Sequence, residues 1–177
     1  SVEKAEAIGY EDEPYDALLE EFEPGLTTAE VAATFQTLRE DLVPLVDDIA
    51  ASPQLDNDLL RRPYPQPRQK EFGERVLAEI GYDFDRGRQD VSAHPFTTSF
   101  APDDVRITTR YDEAFFPSAF FSMIHEGGHA LYEQGIDPAL ARTPLADGAS
   151  LGVHESQARL WENHVGRRRP FWRHYFP

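Results

Sequence analysis

The chain has 177 residues, with 17 lysines and arginines against 32 aspartates and glutamates, which gives a formal net charge of −15. Nucleic-acid binding depends on basic patches that neutralise phosphates, so this acidity argues against a nucleic-acid partner. The absence of cysteine excludes disulfide bonds and thiolate metal ligands. No apolar stretch approaches the length of a membrane-spanning helix and no signal peptide is visible, so we expect a cytoplasmic protein without a membrane partner.

The first part of the chain is predicted to be helical. Apolar residues at helical spacing predict a helix over 14–23. Thr27 and Glu30 form a capping-box signature that begins a second, longer helix, and Pro44 is expected to kink it. A connection rich in proline and arginine follows over 52–67.

A further amphipathic helix is predicted over 68–80, and Gly81 is expected to end it. A short β region is predicted around 96–111, because apolar Val105 and Ile107 alternate with polar neighbours as in a half-buried strand. A strand directly ahead of the next helix could present its edge to an extended peptide.

The segment His125-Glu126-Gly127-Gly128-His129 carries the most informative pattern in the chain. Histidines four residues apart on a helix lie on one face, so both imidazoles can reach one metal ion. Glu126 is rotated by about 100° around the helix and can instead reach a water bound to that ion. This pattern is typical of zinc peptidases, in which the carboxylate accepts a proton from the water. The alternative is a pair of hydrogen-bonded histidines on a helix that happens to contain a glutamate.

The surroundings of this segment predict a helix that begins near Pro117 and ends near Gly135. Each glycine inside a helix costs about 1 kcal/mol relative to alanine. Gly127 and Gly128 therefore indicate that side chains at these positions would obstruct a substrate strand or the packing of a neighbouring helix.

A third metal ligand is expected on a second helix, predicted over 151–163. A catalytic zinc normally has three protein ligands and keeps a fourth position for water or substrate. Glu155 offers the carboxylate of a His/His/Glu site, and the adjacent His154 is its competitor.

Four separated segments give the chain a more specific likeness. They are His94-Pro95-Phe96, the segment 104–108, the segment 125–129 and the segment 154–159. In this order they resemble the motifs of the M32 family of metallocarboxypeptidases, the carboxypeptidase Taq group. The family usually has serine where this chain has Ala158, a conservative difference that leaves the ligand position intact.

The resemblance implies one divalent metal ion, zinc or alternatively cobalt. It implies His125, His129 and Glu155 as the metal ligands and Glu126 as the general base.

The resemblance also implies that the first two segments shape the cleft and recognise the peptide substrate. The residues concerned are His94, Asp104, Arg106 and Thr108. Without the family, simpler roles are favoured for two of them. His94 precedes a proline and would be a loop histidine with a local hydrogen bond, and Arg106 would be a surface arginine in a salt bridge.

The expected fold is mainly α: a zincin-like helical metallopeptidase with a small antiparallel β-sheet beside the helix of the HExxH motif. We expect residues 1–177 to form a single domain, with a helical region over 1–90 and a metal-binding core over 91–177. Members of the family are considerably longer, so this domain is interpreted as the central part of a longer catalytic domain. The family commonly forms homodimers, and a homodimer is expected for the full-length protein.

The predicted function is a zinc-dependent metallocarboxypeptidase that hydrolyses C-terminal residues from peptides through a metal-activated water. Two alternatives stay open: another HExxH oligopeptidase or aminopeptidase, and a catalytically inert metal-binding fragment. The second arises because the family's groups for the substrate's C-terminal carboxylate lie mostly beyond the end of this chain.

Overall fold

The computed structural model describes residues 1–176, which divide into two compact units. The first unit consists of Ser1–Asp56 with Ser150–Gly152, and the second of Asn57–Ala149 with the chain from Val153 onward. The division falls inside the predicted connection over 52–67, so the helix that follows this connection belongs to the unit of the HExxH motif. The predicted organisation as one domain of a longer catalytic domain stays a prediction.

The first unit contains three helices: α1 (Val2–Ile8), α2 (Pro14–Leu19) and α3 (Thr28–Ala51). The capping box of α3 is confirmed, because the Glu30 backbone N–H donates to Thr27 Oγ1 at 3.2 Å and the Thr27 N–H donates to Glu30 Oε2 at 3.0 Å. The predicted helix over 14–23 is shorter and ends at Leu19. α3 continues as a helix through Pro44.

The described part of the second unit contains four α-helices. They are α4 (Gln66–Glu79), α5 (Phe116–Gln134), α6 (Leu151–Arg159, whose first two residues belong to the first unit) and α7 (Arg169–Tyr175). α4 ends as predicted, since Gly81 follows it with φ +108°, a left-handed conformation that favours glycine. The predicted helix over 151–163 changes at Leu160–Val165 into a π-helical turn. Over residues 1–176, no helix is both long and apolar enough to cross a membrane.

A three-stranded sheet lies beside α5. Its strands are β1 (Gly87–Val91), β2 (Thr97–Ala101) and β3 (Asp104–Thr109), in the order β1-β3-β2. The antiparallel pairing that the sequence predicts is present between β2 and β3, but β1 pairs with β3 in parallel, so the sheet is mixed. β1 was missed because Gly87-Arg88-Gln89-Asp90-Val91 has a single large apolar residue and shows no alternation.

α5 lies between this sheet and α4 and supplies much of the core of the second unit. One core cluster joins the sheet to α5 and α4 through Leu77, Tyr82, Val105, Ile107, Met123 and Ala130. The other, formed by Val76, Phe116, Phe120 and Ile124, packs against the aromatic residues of α7. Burial on both sides fixes the rotation of α5 about its axis, and with it the direction in which the motif side chains point.

Replacement of Phe120 by alanine should destabilise the second unit. The side chain is fully buried, with its ring centroid 5.2 Å from both Phe116 and Trp172. Truncation of a buried phenylalanine costs about 3–5 kcal/mol. Denaturant unfolding followed by the fluorescence of Trp161 and Trp172, both in the second unit, measures the change. Leu145→Ala is the control, because Leu145 is 72% exposed and its truncation should change the unfolding free energy by less than about 0.5 kcal/mol.

Candidate metal centre

His125 and His129 lie on one face of α5, as their spacing predicts, with ring centroids 4.9 Å apart. Both side chains are mostly buried. Burial lowers the pKa of His129 to about 4, because a charged imidazolium is penalised in an environment with little water. Such a histidine is a neutral imidazole at neutral pH, the form that binds metal ions.

Glu155 reaches the two histidines from α6. Its Oε2 lies 3.6 Å from His125 Nε2 and 3.3 Å from His129 Nε2, and the three candidate ligand atoms all lie within 4.8 Å of one another. Donor atoms around a tetrahedral ion with bonds of about 2.0–2.1 Å are roughly 3.3–3.4 Å apart. The distances to Glu155 are thus close to those of a zinc coordination shell, and the donor set of two imidazoles and a carboxylate suits that ion.

The two helices approach closely because α5 carries glycine at the point of contact. A Cβ at Gly128 would lie 2.6 Å from the Ala158 Cα and 2.9 Å from the Gln157 carbonyl oxygen. A Cβ at Gly127 would instead meet the end of the Leu77 side chain at 2.4 Å. Of the two explanations that the sequence allows for these glycines, helix packing is the one found here.

His154, the competing ligand, points elsewhere. Its Nε2 is 2.8 Å from Glu133 Oε1, and its ring stacks on His129 with centroids 4.5 Å apart. Within the described chain, the group of ligand atoms that could hold a metal consists of His125, His129 and Glu155. His154 therefore packs against this group without belonging to it.

Glu126 is 7% exposed and lies between α5 and the sheet. Burial raises the pKa of its carboxyl, and the hydrogen bond that Thr97 Oγ1 donates to Glu126 Oε2 at 2.7 Å opposes this shift. Thr97 was not predicted from the sequence, although it directly follows the His94-Pro95-Phe96 segment in the chain. A buried carboxylate held at one oxygen is suited to accept and return a proton with the other.

Glu162 is a second residue whose place in the site was not predicted from the sequence. Its Oε2 is 3.0 Å from His125 Nδ1, and its Oε1 accepts a hydrogen bond from Arg167 Nη2 at 2.6 Å. Burial alone would raise the pKa of Glu162, but the hydrogen bonds from Arg167 and His125 hold it below its usual value. The one available signal was spacing, since Glu162 follows Glu155 by seven residues, or two helical turns.

The four predicted substrate residues occupy different places. His94 lines a cleft of about 510 Å³ together with Phe121, His125 and Glu126, and its Nδ1 lies 2.8 Å from the Pro95 carbonyl oxygen. The local hydrogen bond and the position in the cleft are therefore both present at His94.

Asp104, Arg106 and Thr108 do not line this cleft. Arg106 donates two hydrogen bonds to Asp104, at 2.7 and 2.8 Å, and lies over the Phe100 ring. Thr108 Oγ1 accepts from the Phe96 N–H at 3.0 Å and lies 2.6 Å from Ser92 Oγ. Thr108 thus supports the loop that carries His94, whereas Arg106 and Asp104 form a partly exposed ion pair on the sheet.

The whole chain, residues 1–177, matches the family described as Carboxypeptidase Taq (M32) metallopeptidase. The protein therefore belongs to the M32 metallopeptidase family, and this membership implies a divalent metal ion. The group of His125, His129 and Glu155 is a candidate site for that ion.

Relatives and solved structures agree with this membership. The chain is 49% identical over 169 residues to "Carboxypeptidase 1" of Bacillus subtilis, a match that covers 95% of this chain and 34% of that protein. It is 49% identical to "Thermostable carboxypeptidase 1" of Thermus thermophilus, with 93% and 32% covered. The crystal structure of an M32 carboxypeptidase from Deinococcus radiodurans R1 superposes with a TM-score of 0.96 at 49% identity, covering 99% of this chain and 35% of that one. The chain thus spans about a third of the length of these relatives.

Gly128→Ala should weaken the binding of a divalent ion. Carbon atoms pack at about 3.5–4.0 Å, so a Cβ placed 2.6 Å from the Ala158 Cα must push α6 away by about 1 Å. Since a metal site tolerates changes of only about 0.2 Å, the affinity for zinc, titrated into the metal-free protein, should fall by more than about tenfold.

Gly127→Ala is the matched control on the same helix. Its Cβ meets the ends of the Leu77 and Ile80 side chains and no backbone atom of α6, so the zinc affinity should stay within about twofold even where stability falls. Equal losses of affinity in the two variants would contradict the role given to the contact between the α5 and α6 backbones.

Proposed function

We propose that this chain carries the metal centre of a zinc-dependent metallocarboxypeptidase that releases C-terminal residues from peptides. The observation that carries the proposal is the convergence of His125, His129 and Glu155, with Glu126 buried beside them. Both curated relatives compared above are named carboxypeptidases. In this proposal the three converging residues are the metal ligands and Glu126 is the general base.

The reaction class is metal-assisted hydrolysis of a peptide bond. A divalent ion in such a site polarises the scissile carbonyl and lowers the pKa of a water that it binds towards about 7. Glu126 accepts the proton of the attacking water at its carboxylate and returns it to the leaving nitrogen. Thr97 holds Glu126 Oε2, so that the other oxygen is the one directed to the water. Zinc is the proposed ion, and cobalt would serve in the same ligand set.

The cleft beside the metal centre offers a place for the peptide. It is lined by His94 and Pro95 of the loop between β1 and β2, and by Phe121 and Ser122 of α5. In this proposal His94 contributes to substrate binding, and Thr108 supports the loop that carries His94. The Asp104–Arg106 pair contributes to substrate binding from a position on the sheet outside the cleft. The peptide substrate, the homodimer and the cytoplasmic location stay predictions for the natural polypeptide that contains this sequence.

Glu126→Gln should abolish hydrolysis while leaving metal binding largely intact. The amide has nearly the same shape but cannot accept the proton, and loss of a general base costs at least about 100-fold in rate. Release of C-terminal residues from an N-blocked peptide gives the rate, and elemental analysis gives the metal content. A Glu126→Gln enzyme with full activity would show that the base is another group.

Glu155→Gln is the contrasting variant, because the proposal makes Glu155 a ligand. It should lose metal and activity together, in contrast to Glu126→Gln. His154→Gln tests the competing ligand. Because His154 faces Glu133 and only stacks on His129, this variant should keep its metal with a smaller loss of affinity than Glu155→Gln.

The direction of cleavage is tested with blocked peptides. A carboxypeptidase needs the free C-terminal carboxylate, which is usually recognised by a charged side chain. C-terminal amidation should therefore lower kcat/KM by at least about tenfold, and N-terminal acetylation should not. An oligopeptidase would cleave both peptides internally, and an aminopeptidase would fail only on the acetylated one. Zinc binding without hydrolysis in the natural polypeptide would support an inert metal-binding protein.

A further inference from the structure

We propose that Glu162, anchored by Arg167, is a positioning residue that fixes the orientation of His125 for metal binding. This inference rests on the ligand set of the proposed function. A ligating histidine uses one ring nitrogen for the metal, and its other nitrogen commonly donates to a carboxylate that sets the tautomer and the ring orientation. Glu162 stands in this relation to His125.

The geometry assigns a different role to each ring nitrogen of His125. His125 Nδ1 lies 3.0 Å from Glu162 Oε2, while His125 Nε2 lies on the side of Glu155, 3.6 Å from its Oε2. With Glu162 ionised, the proton of the neutral ring resides on Nδ1 and the lone pair on Nε2. The lone pair then points to the place where Glu155 and His129 Nε2 converge.

Glu162 is itself held in place from the opposite side. Its second oxygen accepts from Arg167 Nη2 at 2.6 Å, and Arg159 Nη1 lies 3.6 Å from the oxygen that faces His125. The Arg167 guanidinium also lies 3.9 Å from the centroid of the Phe121 ring and donates from Nε to Asn163 Oδ1 at 3.0 Å. These contacts leave the carboxylate few orientations, so that it can act as a fixed acceptor.

His129 lacks an equivalent support among the described residues. Its Nδ1 is buried without a hydrogen-bond partner, and its ring is held by stacking on His154. The two proposed histidine ligands are therefore oriented by different means, one by a charged acceptor and the other by packing. Removal of the acceptor should act on His125 alone.

The π-helical turn places Glu162 in this position. The α-helical part of α6 ends at Arg159, and Leu160–Val165 widens the helix where Glu162 lies. Such turns are rare in proteins, and many of those that do occur lie at functional sites. The turn begins five residues after the proposed ligand Glu155, so one stretch of chain supplies both a ligand and the support of another ligand.

The test compares Glu162→Gln with Glu133→Gln in the metal-free protein. Glu133 is a matched control: it is 12% exposed against 13% for Glu162, and it pairs with a histidine, His154, that is not among the proposed ligands. Zinc affinity is measured by competition with a chromophoric chelator, and thermal unfolding without metal measures stability. Loss of an outer-shell carboxylate lowers metal affinity by about 10–100-fold, which is the result expected for Glu162→Gln alone.

A second measurement reports the orientation of the ring without any metal. The ¹⁵N NMR shifts of His125 distinguish its two neutral tautomers. The metal-free parent protein should hold the proton on Nδ1, and Glu162→Gln should populate both tautomers. Glu133→Gln should leave the His125 signals unchanged.

The outcomes separate this inference from the proposed function. A parent protein that binds no zinc would overturn the proposed function and, with it, this inference. A parent protein that binds zinc, together with a Glu162→Gln variant whose affinity is within about twofold, would overturn the positioning role only. Equal losses in Glu162→Gln and Glu133→Gln would also overturn it, because the effect would then not be specific to the carboxylate that faces His125.

Discussion

The contact between the backbones of α5 and α6 at Gly128 and Ala158 is the constraint on which the site depends. Helical geometry alone sets the distance between His125 and His129, but the position of Glu155 depends on how closely a second helix approaches. A glycine inside a helix costs about 1 kcal/mol, and here that cost is offset by the packing of α6 at a distance that no side chain would allow. Gly128 is thus explained by the close approach of α6, which sets the position of the Glu155 carboxylate.

A common arrangement recurs at the two carboxylates that face the histidines. Glu155 directs Oε2 to the imidazoles and accepts from Arg159 Nε at 2.7 Å with Oε1. Glu162 likewise directs Oε2 to His125 and accepts from Arg167 with Oε1. Both arginines are about half exposed, and such ion pairs add little to stability. Their effect is to fix which oxygen each carboxylate presents to the histidines, so the arginines set geometry more than they stabilise the fold.

The helices and the converging side chains could be predicted from the sequence to the extent that local rules govern them. Periodicity located α5 and capping chemistry placed the start of α3. Ligand chemistry offered both Glu155 and His154, and the resemblance to the family chose Glu155. β1 could not be predicted, because its pairing with β3 depends on contacts distant in sequence and its residues lack a strand pattern. Glu162 was not predicted either, because spacing alone does not reveal a π-helical turn. Thr97 was missed because it lies far from Glu126 in sequence.

The sheet connects the His94-Pro95-Phe96 segment to Glu126, the proposed general base, and this connection explains the place of Thr108. The Phe96 N–H donates to Thr108 Oγ1 at 3.0 Å, and the Thr108 N–H donates to the Phe96 carbonyl at 2.9 Å. This pair of bonds fixes the residue just before Thr97, whose hydroxyl holds Glu126. Thr108 does not line the cleft, but it is connected to the proposed general base through Phe96 and Thr97. Because β3 is the central strand and is buried against α5, it forms a rigid support from which β2 holds the Glu126 carboxylate in place.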